Sequence, residues 1–123
     1  MTQLTKHFSD EEFACRCGCG EGLISQELVE KLEEIRVKFG QVMRVTSGIR
    51  CLAHNLDIGS RKTSSHVPNK EGIGRAADIA CNNIVMRSEL LPLMLGEFER
   101  VGITKTFIHI DVDYKKHSGV FVY

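Results

Sequence analysis

The chain has 123 residues, 42% of them hydrophobic and 26% charged, enough to bury one core and too apolar for a disordered chain. Sixteen basic residues balance sixteen acidic ones, so net charge offers no long-range attraction to nucleic acid or to an anionic membrane. No apolar run approaches the roughly 20 residues of a membrane helix, and the polar stretch from Thr2 to Asp10 lacks the apolar region of a signal peptide. The expectation is a single domain over residues 1–123, made in the cytoplasm, with no nucleic-acid or membrane partner.

In chain order, the first element is a short helix at FSDEEF. Ser9 is placed to cap it and Glu12, three residues on, completes a capping box; the glycines at 18 and 20 stop it. Cys15, Cys17 and Cys19 then form a dense CRCGCG cluster, tighter than the usual C-x-x-C zinc knuckle. The chain has five cysteines, so at least one is unpaired within it. A disulfide or a structural metal could join the cluster to Cys51, or the thiols could simply be reduced in a cytosolic protein. Cys81 reads as a small core residue.

The clearest helix runs from Ser25 to Phe39. Leu28, Leu32, Ile35 and Phe39 recur at helical spacing, with Ser25 as N-cap and Gly40 as stop. Its charged residues are a solvated face. Val42 to Thr46 reads as a strand. SGIRCLAHNLDIGSRKTSSH follows without periodicity, and a loop of that length in a small domain is usually functional. Ala77 to Ala80 is the next strand. A helix is expected between Met86 and Arg100, ended by Gly102, with Pro92 in its first turn or kinking it. Thr106 to Val112 is a strand. Gly119 to Tyr123 is another, expected to pair with it through the YKKHSG turn. The order predicts an α+β domain with helices packed on a small antiparallel sheet.

Chemistry concentrates in two of these strands. Asp78 sits in the apolar run AADIA, and His109 in TFIHIDV. Burying such groups is costly unless they are paired or metal-bound. Side chains alternate along a strand, so His109 and Asp111 share one face while Ile108, Ile110 and Val112 take the other. If the two strands are neighbours, Asp78 and His109 can meet. His66, at the end of the long loop, can then swing in as a third ligand, because Gly72 and Gly74 permit a sharp reversal between them. Two imidazoles and one carboxylate suit a catalytic zinc ion with a fourth position left open. His7, His54 and His117 lie in terminal, loop or turn contexts and read as structural.

Ser64, His66, Gly74, Ala76, Asp78 and His109 make the pattern Ser-x-His, then Gly-x-Ala-x-Asp, then a distant strand histidine. That pattern resembles the zinc D-alanyl-D-alanine carboxypeptidases. This family is related to the vancomycin-resistance D,D-dipeptidases, the phage endolysin peptidases and the Hedgehog signalling domain. VTSGIRCLAHN and the opening HFSDEEFACRCG are similar too, and the likeness is nearest to short phage and prophage members. The resemblance implies that His66, Asp78 and His109 hold Zn²⁺, that Arg50 reaches the substrate carbonyl, and that Ser64 contacts substrate or braces the site. The implied reaction is hydrolysis of a peptide bond near D-alanine in peptidoglycan stem peptides.

Two departures from the family pattern stand out. Eleven residues separate His66 from Asp78, where the family usually has about six, so VPNKEGIG must loop out. The usual general base lies three residues before the last histidine, and here that position is Thr106, which cannot serve. Asp111 is the candidate base, or else a carboxylate that orients a zinc ligand; Glu71 is a weaker candidate. Two rival readings follow. One is a non-catalytic, zinc-containing module that binds cell-wall peptide or protein, such as a phage tail component. The other is a redox or metal module built on the three clustered cysteines.

Overall fold

The apolar stripe after Ser25 forms a helix because its ends are closed as well as its face buried. In the computed structural model, which describes residues 2–123, α1 spans Gln26–Phe39. Ser25 Oγ accepts a hydrogen bond from Leu28 N, and Gly40 closes the helix in the left-handed region at φ 72°. Leu28, Val29, Leu32 and Ile35 are fully buried. They join Phe8, Phe13, Ile79, Leu90, Met94, Ile108 and Ile110 in the main core. Ahead of α1, a 3₁₀ turn spans Asp10–Phe13, and Glu12 Oε2 accepts from Ser9 N at 2.7 Å, one half of the expected capping box. A two-residue strand, β1 (Leu23–Ile24), follows.

After α1 come β2 (Val45–Ser47), α2 (Leu52–Asp57), β3 (Ile73–Gly74), β4 (Ala76–Ala80), α3 (Ile84–Glu97), β5 (Arg100–Ile103), β6 (Phe107–Asp111) and β7 (Gly119–Val122). Five of the strands form one sheet in the order β2-β4-β6-β5-β7. Every neighbouring pair is antiparallel except β5 with β7, which is parallel. The α+β class therefore stands, with a mixed sheet in place of the expected antiparallel one. No helix among the described residues is long and apolar enough to cross a membrane.

The mixed sheet has a local cause. The expected helix from Met86 to Arg100 starts earlier, at Asn83, whose Oδ1 caps Met86 N at 2.8 Å. It ends at Glu97, and Phe98 is already extended. The break falls at Phe98, not at Gly102, and Arg100–Ile103 becomes a strand. That strand takes the free side of β6, whose other side is held by β4. With both edges of β6 occupied, β7 cannot pair with it and adds to the outside of β5 instead. Pro92 lies well inside α3, not in its first turn, and removes one backbone donor there. The expected strand at Val42 is shorter, and Val42 itself is exposed.

The extra residues between His66 and Asp78 are absorbed by a small ladder of their own. β3 pairs in parallel with β1, Leu23 opposite Ile73 and Ile24 opposite Gly74. Asn69 Oδ1 accepts from both Glu71 N and Ile73 N, and Gly72 turns the chain at φ 79°. The excursion thus rejoins the fold beside β1, the strand that precedes α1.

Gly48 fixes the approach of β2's end to the N-terminal segment. A Cβ there would sit 2.5 Å from Phe13 O and 2.7 Å from Phe13 Cα, and backbone cannot swing aside as a side chain can. Gly48→Ala is expected to destabilise the protein by about 1–3 kcal/mol, the usual cost of overpacking. Denaturant unfolding measures this, and an unchanged midpoint would contradict the close approach.

Candidate metal centre

β4 and β6 are neighbours, and their register sets Asp78 directly opposite His109. Strand alternation then points both from the same face of the sheet. His66 arrives from the loop, its backbone tied through its carbonyl to Arg50 N at 3.0 Å. All three side chains are buried, at 2–4% exposure. One donor atom from each lies within 4.8 Å of the others. The two imidazole rings meet edge to face, with centroids 5.1 Å apart.

Hydrogen bonds specify which ring nitrogens are available. His66 Nδ1 lies 2.6 Å from the carbonyl of Gly48. A carbonyl only accepts, so Nδ1 carries the proton and Nε2 presents a lone pair. That Nε2 is 3.3 Å from Asp78 Oδ1 but outside hydrogen-bonding geometry, and it is a buried polar atom without a partner. An orphaned buried nitrogen aimed at a carboxylate fits a cation between them. His109 Nε2 donates to Asp111 Oδ2 at 2.8 Å, leaving Nδ1 to face Asp78 Oδ1 at 2.9 Å. The donor set fits zinc: two imidazole nitrogens and one carboxylate oxygen.

The supporting residues are held tightly. Arg50 donates through Nε to Ser47 Oγ at 2.9 Å, through Nη1 to Asn55 Oδ1 at 3.1 Å, and through Nη2 to Asp78 Oδ2 at 3.4 Å. Asp111 is wholly enclosed. Its Oδ2 accepts from His109 and from Arg100 Nε at 2.9 Å, and its Oδ1 accepts from Asp113 N. Thr106 lies at an exposed turn, its N–H bonded to Thr104 Oγ1. Glu71 is exposed on the excursion after His66. Ser64 Oγ accepts from His66 N at 3.2 Å. With His109, Ser64 also lines a cleft of about 620 Å³ whose walls include Arg61, Arg100, Lys116, Phe121 and Tyr123.

Several of these partners are not visible in the sequence. Ser47, Asn55 and the Gly48 carbonyl act only through the fold of the long loop, where α2 supplies Asn55. Arg100 pairs with Asp111 because β5 sets the two opposite each other, and a helical reading of Arg100 hides this. Asp113 carries a signal that could have been followed, the alternation His109, Asp111, Asp113 on one face. It accepts from buried Ser65 at 2.8 Å and from Arg75 at 3.0 Å. Among the remaining histidines, His7 binds Glu33, and His54 and His117 engage through backbone atoms.

The electrostatics of the metal-free centre split the two histidines. Burial pushes His66 below the ordinary imidazole value of 6.5 and overcomes the pull of Asp78. Burial also opposes charge on His109, but the bonds to Asp111 and Asp78 outweigh it and raise its pKa. Asp78 is held well below the carboxylate range: burial raises it, and the two histidines more than reverse that. The linkage signs are opposite for the two rings. His109, raised, contributes stability that is full below 6.5 and fades as pH climbs through its folded pKa. His66, lowered, costs stability as pH drops from 6.5 through its folded pKa. Unfolding of the metal-free protein is therefore expected to show a stability maximum near pH 6.5, flattened when zinc is added. Denaturation midpoints across pH, with and without zinc, test this; a metal-free profile lacking that maximum would count against the arrangement.

Two buried imidazoles and a buried carboxylate at the edge of a cleft form the kind of donor set found in catalytic zinc sites. The chain belongs to the peptidase M15 family, whose model matches residues 6–111, and M15 peptidases are zinc-dependent. No curated protein matches the chain.

Proposed function

We propose that this protein is a zinc-dependent peptidase that hydrolyses a peptide bond in peptidoglycan stem peptides, with His66, Asp78 and His109 as the metal ligands. The observation that carries the reading is the convergence of those three donors around the unpartnered Nε2 of His66. Zinc held there would supply Lewis-acid polarisation of a carbonyl and a more acidic water. The remaining work falls to the chain. Arg50, braced by Ser47 and Asn55, would donate to the oxygen on which charge develops. Arg61, Arg100 and Lys116 line the cleft and suit a carboxylate-bearing peptide, while Phe121 and Tyr123 give its apolar stem a wall. Ser64 would contact the substrate from the same side.

Asp111 has two proposed roles, and its surroundings favour the second. As a base it would take a proton from water. Its side chain is fully enclosed, however, both oxygens are engaged, and despite burial the His109 bond holds its pKa below the usual carboxylate range. An effective base has a pKa nearer the working pH. A carboxylate on the far nitrogen of a ligand histidine instead fixes the ring's orientation and tautomer.

The absence of any carboxylate from the cleft's walls among the described residues, with Thr106 turned to solvent, favours a second reading. In it the protein is a non-catalytic, zinc-containing module that binds cell-wall peptide or another protein, as in a phage tail. Incubation with purified stem peptide separates the two. Release of D-alanine or cleavage of cross-links is expected, and binding without cleavage would select the module. In the same assay, Asp111→Asn is expected to weaken zinc affinity about 10–100-fold, with hydrolysis recovering in excess zinc. Full zinc binding with no hydrolysis would make Asp111 the base.

A further inference from the structure

The cysteines that the metal centre does not use gather in one place. Cys15, Cys17 and Cys19 come from a segment that follows the 3₁₀ turn, and Cys51 comes from the residue that caps α2. In an extended strand, residues two apart lie about 6.6–6.8 Å from each other. Here Gly18 N donates to Cys15 O at 3.0 Å and closes a turn, with Gly18 at φ 80°, a left-handed conformation that glycine enters freely. The segment curls, and Cys15 Sγ lies 3.3 Å from Cys17 Sγ, which lies 3.6 Å from Cys51 Sγ. All four sulfurs fall within 4.8 Å of one another.

Those separations discriminate between chemistries. A disulfide needs about 2.05 Å. Four sulfurs at about 2.3 Å from one tetrahedral ion stand about 3.8 Å apart. The hydrogen bonds point the same way. Cys51 N donates to Cys15 Sγ, His54 N to Cys51 Sγ and Glu21 N to Cys19 Sγ, each at 3.4 Å. Backbone N–H groups aimed at sulfur favour thiolate over thiol and orient it for a metal. Elsewhere the two segments are already fastened, by Ile49 N to Phe13 O at 2.7 Å and by the Gly48 packing described above.

We propose that Cys15, Cys17, Cys19 and Cys51 hold a second, structural zinc ion in a closed tetrathiolate site. Soft sulfur donors in a tetrahedron select zinc over the hard cations. Binding converts thiols to thiolates and releases up to four protons to solvent. With all four positions filled by protein, the ion has no open position for substrate. Its role is a clasp between the N-terminal segment and the long loop. Cys51 adjoins Arg50, so the clasp holds the backbone of the residue that contacts Asp78. This assignment is independent of the peptidase reading.

The test is a cobalt(II) titration of reduced, metal-free protein under anaerobic conditions. The expected result is two equivalents bound, one of them giving the intense near-ultraviolet band of sulfur-to-cobalt charge transfer. In Cys17→Ser/Cys19→Ser, two exposed positions, that band is lost and one equivalent remains. In His66→Ala/His109→Ala the band persists, so failure of either site is read separately. As a check that does not depend on variants, zinc should protect four of the five thiols of the wild-type protein from alkylation. No charge-transfer band, or equal alkylation with and without zinc, would overturn the proposal.

Discussion

Replacing His66 or His109 with alanine is expected to remove the zinc at the His66–Asp78–His109 centre and to lower peptide cleavage by more than about a hundredfold. That figure is the upper range for loss of a residue that only supports a ligand, and here the ligand itself goes. The two variants differ in what they leave behind. His66→Ala empties a fully enclosed position and frees the Gly48 carbonyl, while the His109–Asp78 bond remains. His109→Ala strands Asp111, which keeps Arg100, and takes from Asp78 the closer of its two imidazole partners. Zinc content by mass spectrometry, beside circular dichroism to confirm folding, measures both. Stoichiometric metal in both variants, with the cysteine cluster replaced by serine, would remove the centre.

The second large effect is expected at Arg50. Arg50→Ala should lower kcat about 10²–10³-fold, the usual loss when one donor to a developing oxyanion is removed, while zinc stays bound. The guanidinium is held by Ser47 and Asn55, so it is positioned before substrate arrives. Its geometry also touches Asp78 Oδ2, so the alternative outcome is specific. If kcat is unchanged and zinc affinity falls, Arg50 only positions the ligand carboxylate. Arg50→Lys should recover little, because one ammonium cannot reach three partners as a planar fork does.

What could be read from the sequence depended on how local the signal was. α1 was legible because its stripe, cap and stop all lie within sixteen residues. The strands around Asp78 and His109 were legible because apolar alternation marks them. Their adjacency was a conditional inference, and the register now sets Asp78 opposite His109. The features hidden from the sequence are non-local. Arg100–Ile103 carries no cue that distinguishes a short strand from a helix's last turn until its partner is known. The pairing of β7 depends on β6 having no free edge, a property of the whole sheet. The cysteine spacing gives proximity along the chain but not the turn closed at Gly18, nor the arrival of Cys51. α2 is hidden in the sequence because six residues with a cysteine cap show no helical period.

The small ladder between β1 and β3 has a practical consequence. It anchors the returning limb of the excursion after His66, whose neck is closed by Arg75 N donating to Ser65 O at 3.1 Å, so the tip at Lys70 and Glu71, both exposed, hangs outside the framework that spaces the ligands. Its length and lettering are decoupled from the geometry at Asp78. That tip is accordingly the natural place to graft a foreign peptide or a fluorescent label while the imidazole pair keeps its aim.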